Sequence, residues 1–245
     1  MVNNKPNQTK PVGISGDFDL WLLALSWAPS FCCQKEKKKQ CDQQRLGGSN
    51  KLTAHGLWPS YASSRREGST YPVYCEPPPT GRSNSESGEV GGLDRYEWMK
   101  HGTCSGLSLA QYLSEMKRHL SRPTAENEEV GSREIRKLEK VLMETKGAVV
   151  EMTRLIQAFE EQESVVVSAT PKCQLKEITV CFSKAVDGTV GSPTACPKHL
   201  LRGQRNSAET QGCSYLVVDE ATKCQWVTNN LLQQILIKRG SNKKE

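Results

Sequence analysis

Ten cysteines are spread through these 245 residues, and none of them belongs to a C-x-x-C pair. The zinc-ribbon and thioredoxin spacings are therefore absent, and an even count at irregular intervals reads as a disulfide framework. Such frameworks form and persist in oxidising compartments, so the sequence predicts a secreted, periplasmic or vacuolar/lysosomal protein. Cross-links also fit the composition. Leu, Ile, Val and Phe together make up only about a fifth of the chain, which is where disorder becomes a competing reading. Disorder also needs a high net charge, and a formal +6 is modest. Five tryptophans point further to a folded body with a lean, covalently stapled core.

The longest continuous apolar run, Leu20 to Leu25, is far short of the roughly 20 residues that cross a bilayer, and no membrane association is expected. Residues 1–16 are polar, contain Pro and Gly, and read as a flexible N-terminal arm. They hold no hydrophobic leader region, so the natural precursor is expected to carry one ahead of them. The triplet Asn7-Gln8-Thr9 is a glycosylation sequon. Residues 17–245 show no repeat and no break in composition, and read as one domain.

Within that domain, Asp19 to Trp27 is a continuous apolar stretch bounded by Gly16 and Pro29, the pattern of a strand buried on both faces. Lys35 to Lys39 reads as a solvated loop tip closed by a short-range disulfide, and residues 76–92 as a loop. Ser108 and Gln111 have the spacing of a capping box. The helix they open places Leu109, Tyr112, Leu113, Met116 and Leu120 on one face. Further helices are expected over 132–145 and 148–162, the second from Val149, Met152, Leu155, Ile156 and Phe159 at helical spacing. Val165–Val167, Lys176–Phe182 and Tyr215–Val218 read as strands, the middle one alternating as a half-wet strand does. Residues 224–239 fit helix and strand equally. The order predicts an α+β domain with a central, mainly antiparallel sheet flanked by helices.

Two segments concentrate the reactive residues: Leu52-Thr53-Ala54-His55-Gly56-Leu57-Trp58-Pro59 and Tyr96-Glu97-Trp98-Met99-Lys100-His101-Gly102-Thr103-Cys104. Each has a His followed by Gly, which lets backbone approach a ligand beside the imidazole. Two imidazoles can serve as general base and general acid near neutral pH. A lysine beside them can stabilise negative charge developing on phosphorus-bound oxygen. If Glu97 to His101 is helical, Glu97, Lys100 and His101 share one face. The spacing matches no usual zinc site, so neither metal nor cofactor is expected.

These two segments resemble the paired active-site motifs of the ribonuclease T2 family, H-G-L-W-P and H-E-x-x-K-H-G-T-C. The resemblance extends to Asp17-Phe18-Asp19 through Trp27 with the cysteines after it, to Thr70-Tyr71-Pro72 before Cys75, and to Cys173…Glu177-Ile178…Cys181. It implies a metal-independent endoribonuclease for single-stranded RNA that cuts through a 2′,3′-cyclic phosphate to 3′-phosphate ends. By that resemblance His101 is the base, His55 the acid, and Glu97 and Lys100 stabilise the pentacoordinate phosphorus. DNA lacks the 2′-OH nucleophile and is not expected to be cut. Tyr96 stands where many members have a third histidine, as in some bacterial members, and is expected to contact the phosphate without adding charge. The resemblance also suggests disulfides Cys75–Cys104, Cys181–Cys196, Cys173 with Cys213 or Cys224, and Cys41 with Cys32 or Cys33.

Trp58 reads first as a wall beneath His55 and secondly as a substrate contact. Tyr61 is the candidate for stacking on a base. His119 and His199 are read as surface residues, one on a helix and one in a loop. The basic balance suits a polyanionic substrate, and nothing requires more than a monomer.

Overall fold

The computed structural model describes residues 13–34, 41, 49–65, 69–75, 92–120, 130–203 and 212–221. The Lys35–Lys39 run, the sequon, most of the 76–92 loop and the 224–239 segment lie outside them.

β1 (Leu20–Trp27) is the strand that the apolar run predicts, and all eight of its residues are buried. It lies inside a sheet of order β2-β1-β5-β4, made with β2 (Leu52–Ser60), β5 (Leu175–Lys184) and β4 (Val165–Ala169), and β6 (Val190–Pro193) also pairs with β5. Every pairing in this sheet is antiparallel, as expected. Successive side chains of a strand point to opposite faces, and β1 is apolar on both. Trp21, Leu23, Leu25 and Trp27 enter the main core. Leu20 and Leu22 join a smaller cluster with Val166, Cys181 and Leu200, against which Trp58 packs. The middle of β5 is drier than its alternation suggests, since Ile178 to Phe182 are all buried.

The main core is closed by α3 (Leu109–Leu120) and α4 (Val130–Thr145), which contribute Leu109, Tyr112, Leu138 and Leu142. The capping box forms as expected. The Ser108 N–H donates to Gln111 Oε1 at 3.0 Å, and the Gln111 N–H donates to Ser108 Oγ at 3.3 Å. His119 is not a surface residue: it is 2% exposed, with its ring 4.8 Å from that of Phe182. It lies two turns beyond Tyr112 on the buried stripe of the helix, so its position follows from period 3.6.

The helix expected over 148–162 is instead β3 (Ala148–Glu151) followed by the short α5 (Met152–Ile156). β3 pairs antiparallel with β7 (Tyr215–Val218). Gly147, at φ +73°, turns the chain out of α4, and the β-branched pair Val149-Val150 takes the strand. Partners distant in sequence thus override the helical spacing. Val150, Leu155 and Phe159 still reach the core.

Disulfides join Cys32–Cys41, Cys75–Cys104, Cys173–Cys213 and Cys181–Cys196, and Cys33 is bonded as well. Among the described residues no cysteine is free. Ser15 and Gly16 are bonded to the body of the domain. Ser15 Oγ donates to Thr103 O at 2.8 Å, the Gly16 N–H donates to Cys104 O at 2.9 Å, and Lys184 Nζ donates to Gly16 O at 2.6 Å. No described helix is long and apolar enough to cross a membrane.

Candidate active site

β2 carries the first histidine on an irregularity. Ala24 and Leu25 of β1 pair with Gly56 and Ala54, so His55 is the extra residue of a bulge. Before the bulge Leu52 and Ala54 face the main core; after it Leu57 does, while Trp58 faces the opposite cluster. This change of phase brings His55 and Trp58, three residues apart, to one side of the sheet. A regular strand would separate them.

The second histidine follows α2 (Gly92–Lys100). The His101 N–H donates to Glu97 O at 2.8 Å, so the helical repeat continues through His101. Glu97, Lys100 and His101 therefore share a face, and all three line one cleft of about 640 Å³ together with His55 and Trp58. The far end of the helix is pinned by Cys75–Cys104 and by the Tyr74 N–H donating to Lys100 O at 2.9 Å.

Trp58 organises the centre. Its ring lies 5.2 Å from that of His55 and 5.2 Å from that of His101. Its Nε1–H donates to Glu97 Oε2 at 2.8 Å, and Glu97 Oε1 stands 4.0 Å from His55 Nε2. The glycines after the histidines make room for indoles rather than for a ligand. A Cβ at Gly56 would collide with Trp58 Nε1 and stand 2.8 Å from Glu97 Oε2. One at Gly102 would collide with the buried ring of Trp98.

The two imidazoles sit in opposed electrostatic surroundings. His55 Nδ1 is 2.8 Å from Glu177 Oε2 on β5. That hydrogen bond raises the His55 pKa above its ordinary value against the cost of burial, with Glu177 and Glu97 adding charge attraction. His101 is pushed down to about 3, chiefly by burial and then by the charges of Lys100 and His55. One imidazole is thus held protonated and the other neutral over the same acidic range. Such divergence in one cleft is what acid and base roles require. Among the described residues no group of three His, Cys, Asp or Glu side chains is placed to hold a metal ion.

Of the expected substrate contacts, Tyr96 lines the cleft, half exposed, with Lys100 Nζ 5.6 Å from its ring centre. Tyr61 does not line it. Its ring is 5% exposed in the main core, with the Arg65 guanidinium 4.0 Å over it. The exposed aromatic at that wall is Tyr71, 5.9 Å from the His101 ring. His199 is not in a loop on the surface but on α6 (Lys198–Gly203), and it lines the cleft. Glu177 is the main functional residue that the sequence reading leaves without a role. Its signal is the alternation of β5, which puts residues 177, 179 and 181 on one face.

Residues 18–89 match the sequence model of the Ribonuclease T2 family, a match that takes in the first motif and ends before the second. The chain is 39% identical over 103 residues to a ribonuclease of Aeromonas hydrophila, covering 39% of this chain and 42% of that one. It is 32% identical over 142 residues to ribonuclease I of Escherichia coli K12, covering 42% and 53%. The chain thus spans about half the length of the curated relatives it matches. A solved RNase-related protein from Calystegia sepium superposes with a TM-score of 0.50 at 19% identity, covering 82% of this chain and 97% of that one, which establishes the shared fold.

Proposed function

We propose that the chain, whose residues 18–89 match the Ribonuclease T2 model and whose fold is shared with an RNase-related protein, is a ribonuclease of that family, an endoribonuclease cleaving single-stranded RNA without a metal, through a 2′,3′-cyclic phosphate. The observation that carries this reading is the placing of two imidazoles in one cleft, each 5.2 Å from the Trp58 ring, one bonded to a carboxylate and the other buried next to Lys100.

Neutral His101 takes the proton from a ribose 2′-OH, and the freed oxygen attacks the adjacent phosphorus. Protonated His55 gives its proton to the departing 5′-oxygen, leaving a 2′,3′-cyclic phosphate and a 5′-hydroxyl. In hydrolysis of the cyclic ester the roles reverse. His55 takes a proton from water, the hydroxide oxygen bonds to phosphorus, and His101 protonates the leaving 2′-oxygen to give a 3′-phosphate. Both residues return to their starting states. Glu177 holds the His55 Nδ1 side, so that Nε2 is the nitrogen left to serve the leaving group. Lys100 supplies positive charge at the cleft for the pentacoordinate phosphorus. Glu97, held by Trp58 Nε1 and standing 4.0 Å from His55 Nε2, positions His55 beside the phosphoryl group. DNA offers no 2′-oxygen and is not a substrate. Disulfides persist in oxidising compartments, which supports the reading of a secreted, periplasmic or vacuolar enzyme that acts as a monomer.

Incubating the oxidised protein with a defined single-stranded RNA in excess EDTA, with products identified by mass, tests this. A 2′,3′-cyclic phosphate is the expected product. No cleavage between pH 4 and 8, with disulfides formed, would leave a silent RNA-binding relative as the better account.

A further inference from the structure

Three of the four histidines line the cleft, and the proposed chemistry uses two of them. The third, His199, comes from outside both motifs. It is carried by α6, whose start is tied to the sheet by Cys181–Cys196. Cys181 pairs with Leu22 in the sheet, and Leu22 pairs on its other side with Trp58. Leu200, next to His199, packs on Leu20 and Leu22. The disulfide therefore hangs His199 over the Trp58–Ser60 end of β2, away from Glu177.

That end forms a chamber. Trp58, Leu22, Ser60, His199 and Leu200 all line the cleft there. Thr70 and Tyr71 line it too, held to β2 because Ser60 Oγ donates to Thr70 O at 3.1 Å. An indole, an imidazole and a phenol lining one cleft suit a nucleobase, which stacks on aromatic faces and offers polar atoms only at its edge. His199 Nε2 is sealed from water with no hydrogen-bond partner among the described residues, and so is Thr179 Oγ1 on the same cleft wall. Unpaired buried polar atoms are rare and each calls for an explanation. A base edge meeting the ring, turned about its Cβ–Cγ bond, supplies the missing partner. Burial keeps this imidazole below its ordinary pKa, so near neutral pH it can both donate and accept.

The chamber also has a direction. Tyr71 and Trp58 connect it to His101, the residue that takes the 2′-OH proton. We propose that His199 is a specificity-determining residue, reading the base of the nucleotide that supplies the attacking 2′-OH. This rests on the ribonuclease reading and names the side of the scissile bond.

The test uses the sixteen dinucleoside monophosphates with wild type, His199→Leu and His199→Asn, each checked for an unchanged thermal midpoint and near-ultraviolet spectrum. His199→Leu is expected to lower kcat/KM at least fivefold for the best upstream base and less than twofold for the poorest, with the downstream ranking unchanged. The same flattening is expected with the four nucleoside 2′,3′-cyclic phosphates, which keep only the upstream base. His199→Asn, which retains a donor and an acceptor, should recover part of the discrimination. An equal loss for all four bases, no loss, or a change confined to the downstream base overturns the proposal while leaving the ribonuclease reading intact. Should the variant lose its fold, ring-proton shifts of His199 in wild type on adding nucleoside 3′-monophosphates decide instead, and identical small shifts for all four bases count against it. If wild type cleaves no substrate, the reading beneath the proposal fails and the proposal goes with it.

Discussion

The Glu177 carboxylate meets Nδ1 of His55 at 2.8 Å although the two residues sit on strands that do not touch, with β1 running between them. The bulge lifts His55 out of β2 far enough to reach across. The contact matters because its hydrogen bond is the largest influence raising the His55 pKa.

Glu177→Gln removes that charge while preserving the shape of the contact. The alkaline limb of the kcat/KM profile, set by loss of the His55 proton, should move to lower pH by about one unit, since a carboxylate partner shifts a pKa by about that much or more. The acid limb, set by His101 near pH 3, should stay in place. A pH–rate series on both proteins measures the two limbs separately, and movement of both together would contradict the assignment.

Gly56→Ala puts a methyl group where Trp58 Nε1 lies and within 2.8 Å of Glu97 Oε2. The indole must shift, and with it both imidazole contacts and the Glu97 hydrogen bond. A misplacement of about 1 Å at reacting groups can cost about 100-fold, so kcat should fall by about that factor. The circular dichroism spectrum should remain that of the folded protein. Near-normal kcat would show that the indole does not set the geometry.

Removing Cys75–Cys104 with paired alanine substitutions opens a link across a sequence separation of 29. Chain entropy alone makes this cost about 3–4 kcal/mol of stability. Because Cys104 closes the turn that begins at His101, activity measured well below the new melting temperature should also drop. Loss of stability with full residual activity would confine the bond to a structural role.

His119 predicts an acid-labile core. Its folded pKa is depressed to about 4, by burial first and then by Arg118, against about 6.5 in the unfolded chain. The unfolded state therefore binds a proton that the folded state refuses. Stability is fully present above pH 6.5 and declines as pH falls toward 4, by up to about 1.4 kcal/mol per unit. His119→Leu should flatten that decline relative to wild type in denaturant titrations. Parallel slopes in the two proteins would remove His119 from the account.

Legibility in the sequence followed locality. β1, the capped α3 and the Glu97–His101 face are visible because each depends on a period or a cap within a few residues. β3 was not, because Val149 and Val150 take their strand from Leu216 and Val217, far along the chain. The site divides in the same way. The two motifs expose His55, Trp58, Glu97, Lys100 and His101, but Glu177 and His199 reach the site through sheet pairing and a disulfide remote in sequence from both motifs. Tyr61 shows the opposite error. An aromatic beside a motif looked available for stacking, yet its position directly after β2 turns it into the main core, where its ring joins the buried cluster.

The bulge in β2 sets a rule for how the gene of such a protein can change length. Surface loops absorb insertions because their ends tolerate many separations. Between His55 and Trp58 the ladder counts in whole residues: a residue lost abolishes the bulge, and a residue added forces a further irregularity into the pairing. A single-codon deletion there would remove the bulge, leave Trp58 on its face and draw His55 back into the ladder opposite Ala24, out of the position from which it reaches Glu177. The region is therefore closed to length variation even where individual side chains can be exchanged, and the three-residue interval is as much a part of the cleft as the groups at its ends.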